Sequence, residues 1–190
     1  MLKEPRPGRV KTRLGADIGM TRSAWWFRHQ SARLIRDIES PKWQLILSVS
    51  PDIAGLTSRI WPGHIPRIAQ GRGGLGTRMA RIFRAFPTGP TIIIGADIPC
   101  VQRIHISNAF NALGDHDAVF GPATDGGFWL TGLKRGALAP KSLFNGVRWS
   151  TRHALSDTLA TLPALTYSLI DTMQDVDTAT DLARLQIKTG

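Results

Sequence analysis

Two groups of residues suit phosphate chemistry by type and spacing. Near the N-terminus, Lys3, Arg6, Arg9, Lys11 and Arg13 surround Gly8 within Lys3-Glu-Pro-Arg-Pro-Gly-Arg-Val-Lys-Thr-Arg-Leu14. Proline and glycine limit side-chain crowding, so backbone N–H groups can face a ligand while the cations neutralise phosphate oxygens. The spacing G-x-x-x-x-G-K-[ST] is absent, so this is not a Walker A loop. A solvated basic tail would have the same composition. Near the C-terminus, Asp175-Val-Asp177 places two carboxylates two residues apart. In an extended segment both point the same way and can face one divalent cation. So close a pair of like charges needs a cation or arginines beside it. An N-cap role for Asp177 is the plain alternative.

Three further sets carry chemistry. Asp97 lies in Gly95-Ala-Asp97-Ile-Pro99, after the apolar run Thr91–Ile94. A carboxylate at the end of a strand is placed to hold a metal ion, and equally to cap a turn or helix. Gln70-Gly-Arg-Gly-Gly-Leu-Gly76 has glycines at four of its last six positions and leads into a helical stretch carrying Arg78 and Arg81. Glycines allow close backbone approach, and the helix start favours an anion, so Gln70, Gly71 and Arg78 are candidates for holding a nucleotide phosphate. A flexible loop is the alternative. In Asp125-Gly-Gly-Phe-Trp129, Gly126 and Gly127 leave room for substrate, and Asp125 can position an acceptor or act as a general base. A tight Asp-Gly turn fits the same residues.

The charge balance frames these sets. The chain has 190 residues, with 24 Lys and Arg against 14 Asp and Glu, a formal charge of +10. No acid occurs between Ile53 and Ala96, whereas Asp171, Asp175, Asp177 and Asp181 stand together without a base among them. Uniform basicity points to nucleic acid. Basic segments beside a separate acidic cluster point instead to phosphates held by cations and a metal held by carboxylates. Any single arginine is also accounted for by a solvated face.

These residues must be positioned by a folded core. Apolar residues make up 42% and charged residues 20%, which fits a folded chain rather than a disordered one. A single domain, residues 1–190, is expected at this length. The one cysteine, Cys100, excludes an internal disulfide and reads as a small buried residue. Apolar runs fall far short of the roughly 20 residues a membrane span needs, and no signal peptide is evident, so a cytoplasmic protein is expected.

Gln44–Val49, Thr91–Ile94 and Asp117–Phe120 read as strands, with Phe128–Leu133 and Leu165–Ile170 as weaker ones. Helical patterns cover 22–38, 75–86, 104–113, 151–162 and 179–187, the last opened by a capping box at Thr178–Asp181. This alternation predicts a three-layer α/β fold, a mostly parallel sheet flanked by helices. Such a fold ordinarily opens with a strand, and the basic loop begins at once, so the first strand is expected to be missing. Trp25 and Trp26, beside Phe27, suit core and partner packing better than base stacking; Trp129 or Trp149 could line a pocket.

The ordered series K-x-P-x-P-G-x-V-K-T-R-L, Q-G-x-G-x-L-G-x-R-M, G-A-D-I-P, F-G-P-A-x-D-G-G-F-W-L, V-R-W-S-T and D-V-D-T-A-x-D-L spans essentially the whole chain. It resembles the glycosyltransferase-A-like family assigned to arsenosugar biosynthesis, formerly a domain of unknown function. Phospholactate and molybdenum-cofactor guanylyltransferases share the wider nucleotide-binding α/β superfamily. The resemblance implies a nucleotide-diphospho-sugar transferase type of fold, a nucleotide donor, a divalent metal (Mg or Mn) and a small acceptor. It assigns Lys3, Gly8, Lys11 and Arg13 to phosphate binding and Asp97, Asp175 and Asp177 to the metal. Asp125 and Gly126 match a substrate-side loop. The chain departs from the family in having Asp97 alone, with no D-x-D, after the central strand.

Three functions follow as expectations. The first is metal-dependent glycosyl transfer from a nucleotide sugar to a small acceptor. The second is nucleotidyl transfer from an NTP to a small phosphorylated acceptor, which the same residues serve. The third, a basic nucleic-acid-binding module, lacks any reader motif and leaves the acidic cluster unexplained, so nucleic acid ranks last among partners.

Overall fold

The computed structural model describes residues 1–189. Its strands are β1 (Leu2–Lys3), β2 (Leu47–Ser50), β3 (Arg67–Ala69), β4 (Thr91–Ile94), β5 (Ala118–Pro122), β6 (Phe128–Leu133) and β7 (Tyr167–Leu169). The α-helices are α1 (Thr12–Ile18), α2 (Met20–Ile38), α3 (Asp52–Thr57), α4 (Leu75–Ala85), α5 (Arg103–Asp115), α6 (Ala154–Ala160) and α7 (Ala179–Thr189). The fold is α/β, as the alternation predicts. The chain divides into two compact units: one holds Met1–Ala69, Ala96–Arg103 and the chain from Asp175 on, the other Gln70–Gly95 and Ile104–Gln174.

The first unit has a wholly parallel sheet in the order β1-β2-β3, with Leu2 opposite Val49 and Val49 opposite Ala69. Leu2–Lys3, read from sequence as part of an opening loop, is therefore a short strand, and Leu2 is buried. Two residues are too few to show an apolar period, which is why sequence reading passes over them. On α2 buried residues recur every three to four positions, at Ala24, Phe27, Gln30 and Ser31, Leu34 and Ile35, and Ile38, the spacing that places them on one face. A fully buried Leu or Phe of this kind contributes roughly 1.5–3 kcal/mol. Gly55 lets α3 approach β2: a Cβ there would stand 2.6 Å from the Val49 Cβ.

In the second unit the strand order is β4-β6-β5-β7. β5 and β7 are parallel, whereas β6 runs antiparallel to both β4 and β5. The direction of β6 follows from its connection: the segment after β5 turns back at once, with Ala123 N–H donating to Gly127 O at 2.9 Å. A connection this short makes a hairpin and not the crossover a parallel neighbour needs. Phe83, Phe120, Leu130 and Leu133 are almost completely buried.

Two smaller expectations change. Cys100 is exposed, since it follows Pro99 at a turn instead of entering an element. Trp129 is core, 2% exposed, with its indole N–H donating to Asp171 O, so it is no open pocket wall.

Candidate metal and phosphate site

Asp97 stands three residues beyond β4, and Asp175 and Asp177 just before α7. The start of α7 is fixed by the box the sequence predicts: the Thr178 hydroxyl donates to Asp181 Oδ2 at 2.7 Å, and the Asp181 N–H donates to Thr178 Oγ1 at 3.2 Å. Asp181 Oδ2 also accepts the Asp177 N–H at 3.2 Å, and Asp17 Oδ2 accepts the Ala179 N–H at 2.9 Å. These bonds satisfy orphan donors of the first turn and hold Asp177 in place.

One carboxylate oxygen from each of Asp97, Asp175 and Asp177 can be chosen so that all lie within 4.8 Å of one another. The Lys11 ammonium bridges two of them, 2.7 Å from Asp97 Oδ2 and 2.7 Å from Asp177 Oδ1. Arg13 Nη1 reaches Asp177 Oδ2 at 3.2 Å. Lys11 enters α1 with φ 44° and ψ 49°, a left-handed conformation uncommon outside glycine. Such conformations persist where surrounding structure enforces them, here a side chain only 6% exposed and tied at its end to two carboxylates. Burial opposes the Lys11 charge, and Asp97 and Asp177 together outweigh it, so its pKa is raised above the ordinary lysine value.

This donor set fits a hard divalent ion. Three carboxylates supply oxygen ligands, and the Lys11 and Arg13 cations leave one negative charge over. Lys3, Arg6 and Arg9 are exposed, as is Gly8, which takes φ 70° in the turn between them.

The second unit holds the remaining candidates. Gln70 is buried and its side-chain oxygen accepts from Arg78 Nη1 at 2.7 Å. Arg81 donates to the Gln70 carbonyl and, at 2.9 Å, to the Arg72 carbonyl. Gly71, at φ 73°, lies against that guanidinium, with its ideal Cβ 2.5 Å from Arg81 Nη1. The glycine-rich loop is therefore wrapped on Arg81. Arg78 Nε is buried without a hydrogen-bond partner among the described residues.

Asp125 Oδ1 accepts the Gly127 N–H at 2.8 Å, so Asp125 closes its own turn. The space beside Gly126 is filled, because a Cβ there would sit 2.3 Å from the Arg152 carbonyl oxygen. Within this unit Arg148 makes a two-point ion pair to Asp157, at 2.8 Å on each contact. That guanidinium and the Arg148 N–H hold the Asp157 carboxyl well below the usual carboxylate range.

The family resemblance assigns Asp97, Asp175 and Asp177 to one metal, and in the structure these three carboxylates converge. Sequence reasoning assigned Lys11 to phosphate and missed its bridging of the aspartates, for which no local signal exists. It also missed the Arg152 backbone as the reason for Gly126.

The fold places the chain in a class, the nucleotide-diphospho-sugar transferase type of α/β fold. It belongs to the family described as an uncharacterized protein conserved in bacteria (DUF2064), whose profile matches residues 34–151. Among solved structures, a provisionally assigned nucleotide-diphospho-sugar transferase from Desulfovibrio desulfuricans G20 is 28% identical, with a TM-score of 0.80 over 97% of this chain and 83% of that one. The 4-diphosphocytidyl-2C-methyl-D-erythritol synthase of Anaerococcus prevotii DSM 20548 shares the fold at 10% identity, with a TM-score of 0.60 over 86% and 85% of the two chains. HddC from Yersinia pseudotuberculosis does so at 13% identity, with a TM-score of 0.51 over 87% and 85%. No curated protein matches the chain. No helix of the described residues is long and apolar enough to cross a membrane.

Proposed function

We propose that the chain is a metal-dependent transferase that moves a sugar from a nucleotide sugar to a small acceptor. The observation that carries this reading is the convergence of Asp97, Asp175 and Asp177 beside Lys11 and Arg13. The 28% identical structure, named for nucleotide-diphospho-sugar transfer, supports it. Asp97, Asp175 and Asp177 would hold Mg²⁺ or Mn²⁺, which when bound supplies Lewis-acid neutralisation of phosphate oxygens.

The chain's own groups do the rest. Lys11 and Arg13 lie against the carboxylates and carry fixed positive charge to stabilise a departing diphosphate. Lys3, Arg6 and Arg9, all exposed, raise the local concentration of an anionic donor. Asp125 orients the acceptor hydroxyl or takes its proton, through the oxygen not used by Gly127. An acceptor in arsenosugar assembly is the finer assignment that the sequence motifs suggest.

Nucleotidyl transfer is the second reading, favoured by one observation: Asp97 stands alone after β4, without a D-x-D pair. In that case an acceptor phosphate attacks the α-phosphate of an NTP and pyrophosphate leaves.

The test is a thermal-shift panel of nucleotide sugars and NTPs with and without Mn²⁺, followed by product analysis. A ligand at 100 times its Kd adds about 2.7 kcal/mol to stability and is readily seen. Nucleoside diphosphate as product supports glycosyl transfer, and pyrophosphate supports nucleotidyl transfer. If Asp97→Ala retained metal-dependent turnover, both would be wrong.

A further inference from the structure

The helix α2 shows solvent a face used neither by the core nor by the carboxylate cluster. Arg22, Trp25, His29, Arg33 and Arg36 are exposed along it, at steps of three or four residues that form a single stripe, with exposed Arg28 on its flank. The stripe runs about 21 Å at 1.5 Å per residue. Its only acid is Asp37, which pairs with Arg33 at 3.4 Å. Arg22, Arg28 and Arg36 have no carboxylate facing their guanidinium groups among the described residues. Trp25, expected to serve core and partner packing, is 64% exposed. Its ring lies 3.9 Å from that of His29, whose Nδ1 is 2.9 Å from the Trp25 carbonyl oxygen. A tryptophan in ring contact with His29 among four arginines exposes an apolar ring where charge alone would call for none.

We propose that this face of α2 docks the protein on an anionic lipid bilayer surface. The charge is complementary, and each arginine near such a surface adds attraction. Tryptophan suits the headgroup level, where an amphipathic ring has one wet and one apolar side. The stripe is one exposed face of a single helix. A single-stranded nucleic acid would instead call for a groove that tracks its backbone. The protein would lie on the membrane rather than span it.

The test is co-sedimentation of the full chain with vesicles of phosphatidylcholine, with and without phosphatidylserine, at low and high salt. Binding is expected only with phosphatidylserine, weakening with salt, with a blue shift of tryptophan emission that Trp25→Phe removes. The triple variant R22Q/R28Q/R36Q should bind on the order of 100-fold more weakly, at about fivefold per arginine. The charge-matched control R59Q/R84Q/K141Q removes three exposed cations elsewhere and should bind within a few-fold of wild type. Absence of binding to phosphatidylserine vesicles overturns the proposal. So does equal loss in both triple variants, or an emission shift that survives Trp25→Phe. Tighter binding to a single-stranded oligonucleotide, with the same dependence on the α2 arginines, would assign the face to nucleic acid instead.

Discussion

Lys11 and Asp177 are 166 positions apart in sequence and 2.7 Å apart at their charged ends. The same ammonium touches Asp97, so one lysine ties the segment after β4, the start of α1 and the approach to α7 together. A positive charge here offsets carboxylate repulsion that would otherwise oppose folding.

Lys11→Met should therefore destabilise the protein. The lysine side chain is 6% exposed while its partners are about a third exposed, which keeps the cost below that of a fully buried pair. A loss of about 1–3 kcal/mol is expected from urea unfolding in EDTA. Adding Mn²⁺ should shrink the deficit, because the ion takes over the neutralising role. A deficit unchanged by Mn²⁺ would argue against an ion at the three aspartates.

The elements with strong local patterns were legible before the fold was known. Thr91–Ile94 and Phe128–Leu133 are strands over the predicted residues, and Thr178–Asp181 caps α7 through side chains three apart. Elements too short for a period escaped: β3 has three residues, α3 six and α1 seven. The β6 direction was open to reading from the Asp125-Gly126 turn, but the expectation of a parallel sheet overrode it. Of the site, Asp97 is legible from its place after a strand and Asp175 with Asp177 from their spacing, while the grouping of all three at one ion rests on the family resemblance. The Lys11 bridge is not legible, because no local rule links residues so far apart. Of the two roles expected for Trp25, core packing is excluded, because its position on the helix turns it away from Ala24 and Phe27.

Gly126→Ala should cost at least about 2 kcal/mol, since it combines a left-handed φ of 86° with a clash. The obstructing atom is the Arg152 carbonyl oxygen, part of a backbone that cannot swing aside like a side chain. Gly114→Ala is the contrast: it lies in α5 with nothing within 4 Å of its ideal Cβ, and should stabilise by about 0.5 kcal/mol. Chemical unfolding midpoints separate the two, and a neutral Gly126→Ala would contradict the packing described.

The Arg148–Asp157 pair gives the acid limb of stability its sign. Asp157 has its folded pKa depressed from the ordinary 3.8, by the Arg148 side chain and then its N–H. Its contribution is therefore fully present above the unfolded value and is lost as pH falls from there through the folded value. Asp157→Asn should lower the melting temperature at pH 7, and the gap from wild type should close progressively below about pH 3.8. A gap that stays constant down that range would show that packing rather than charge holds residues 148–157.

Arg13 separates metal binding from turnover. Its side chain is 69% exposed and its guanidinium 3.2 Å from Asp177, so it competes with an ion for that carboxylate while contributing little to folding. Arg13→Gln should then tighten Mn²⁺ binding, by up to about fivefold if the whole value of an exposed ion pair is released. Turnover should move the other way, because the charge that faces the departing diphosphate is gone. Isothermal titration with Mn²⁺ and steady-state kinetics on the same variant measure the two effects. Weaker Mn²⁺ binding in Arg13→Gln would mean that Asp177 depends on Arg13 for its position, and the ion site would have to be redrawn around Asp97 and Asp175.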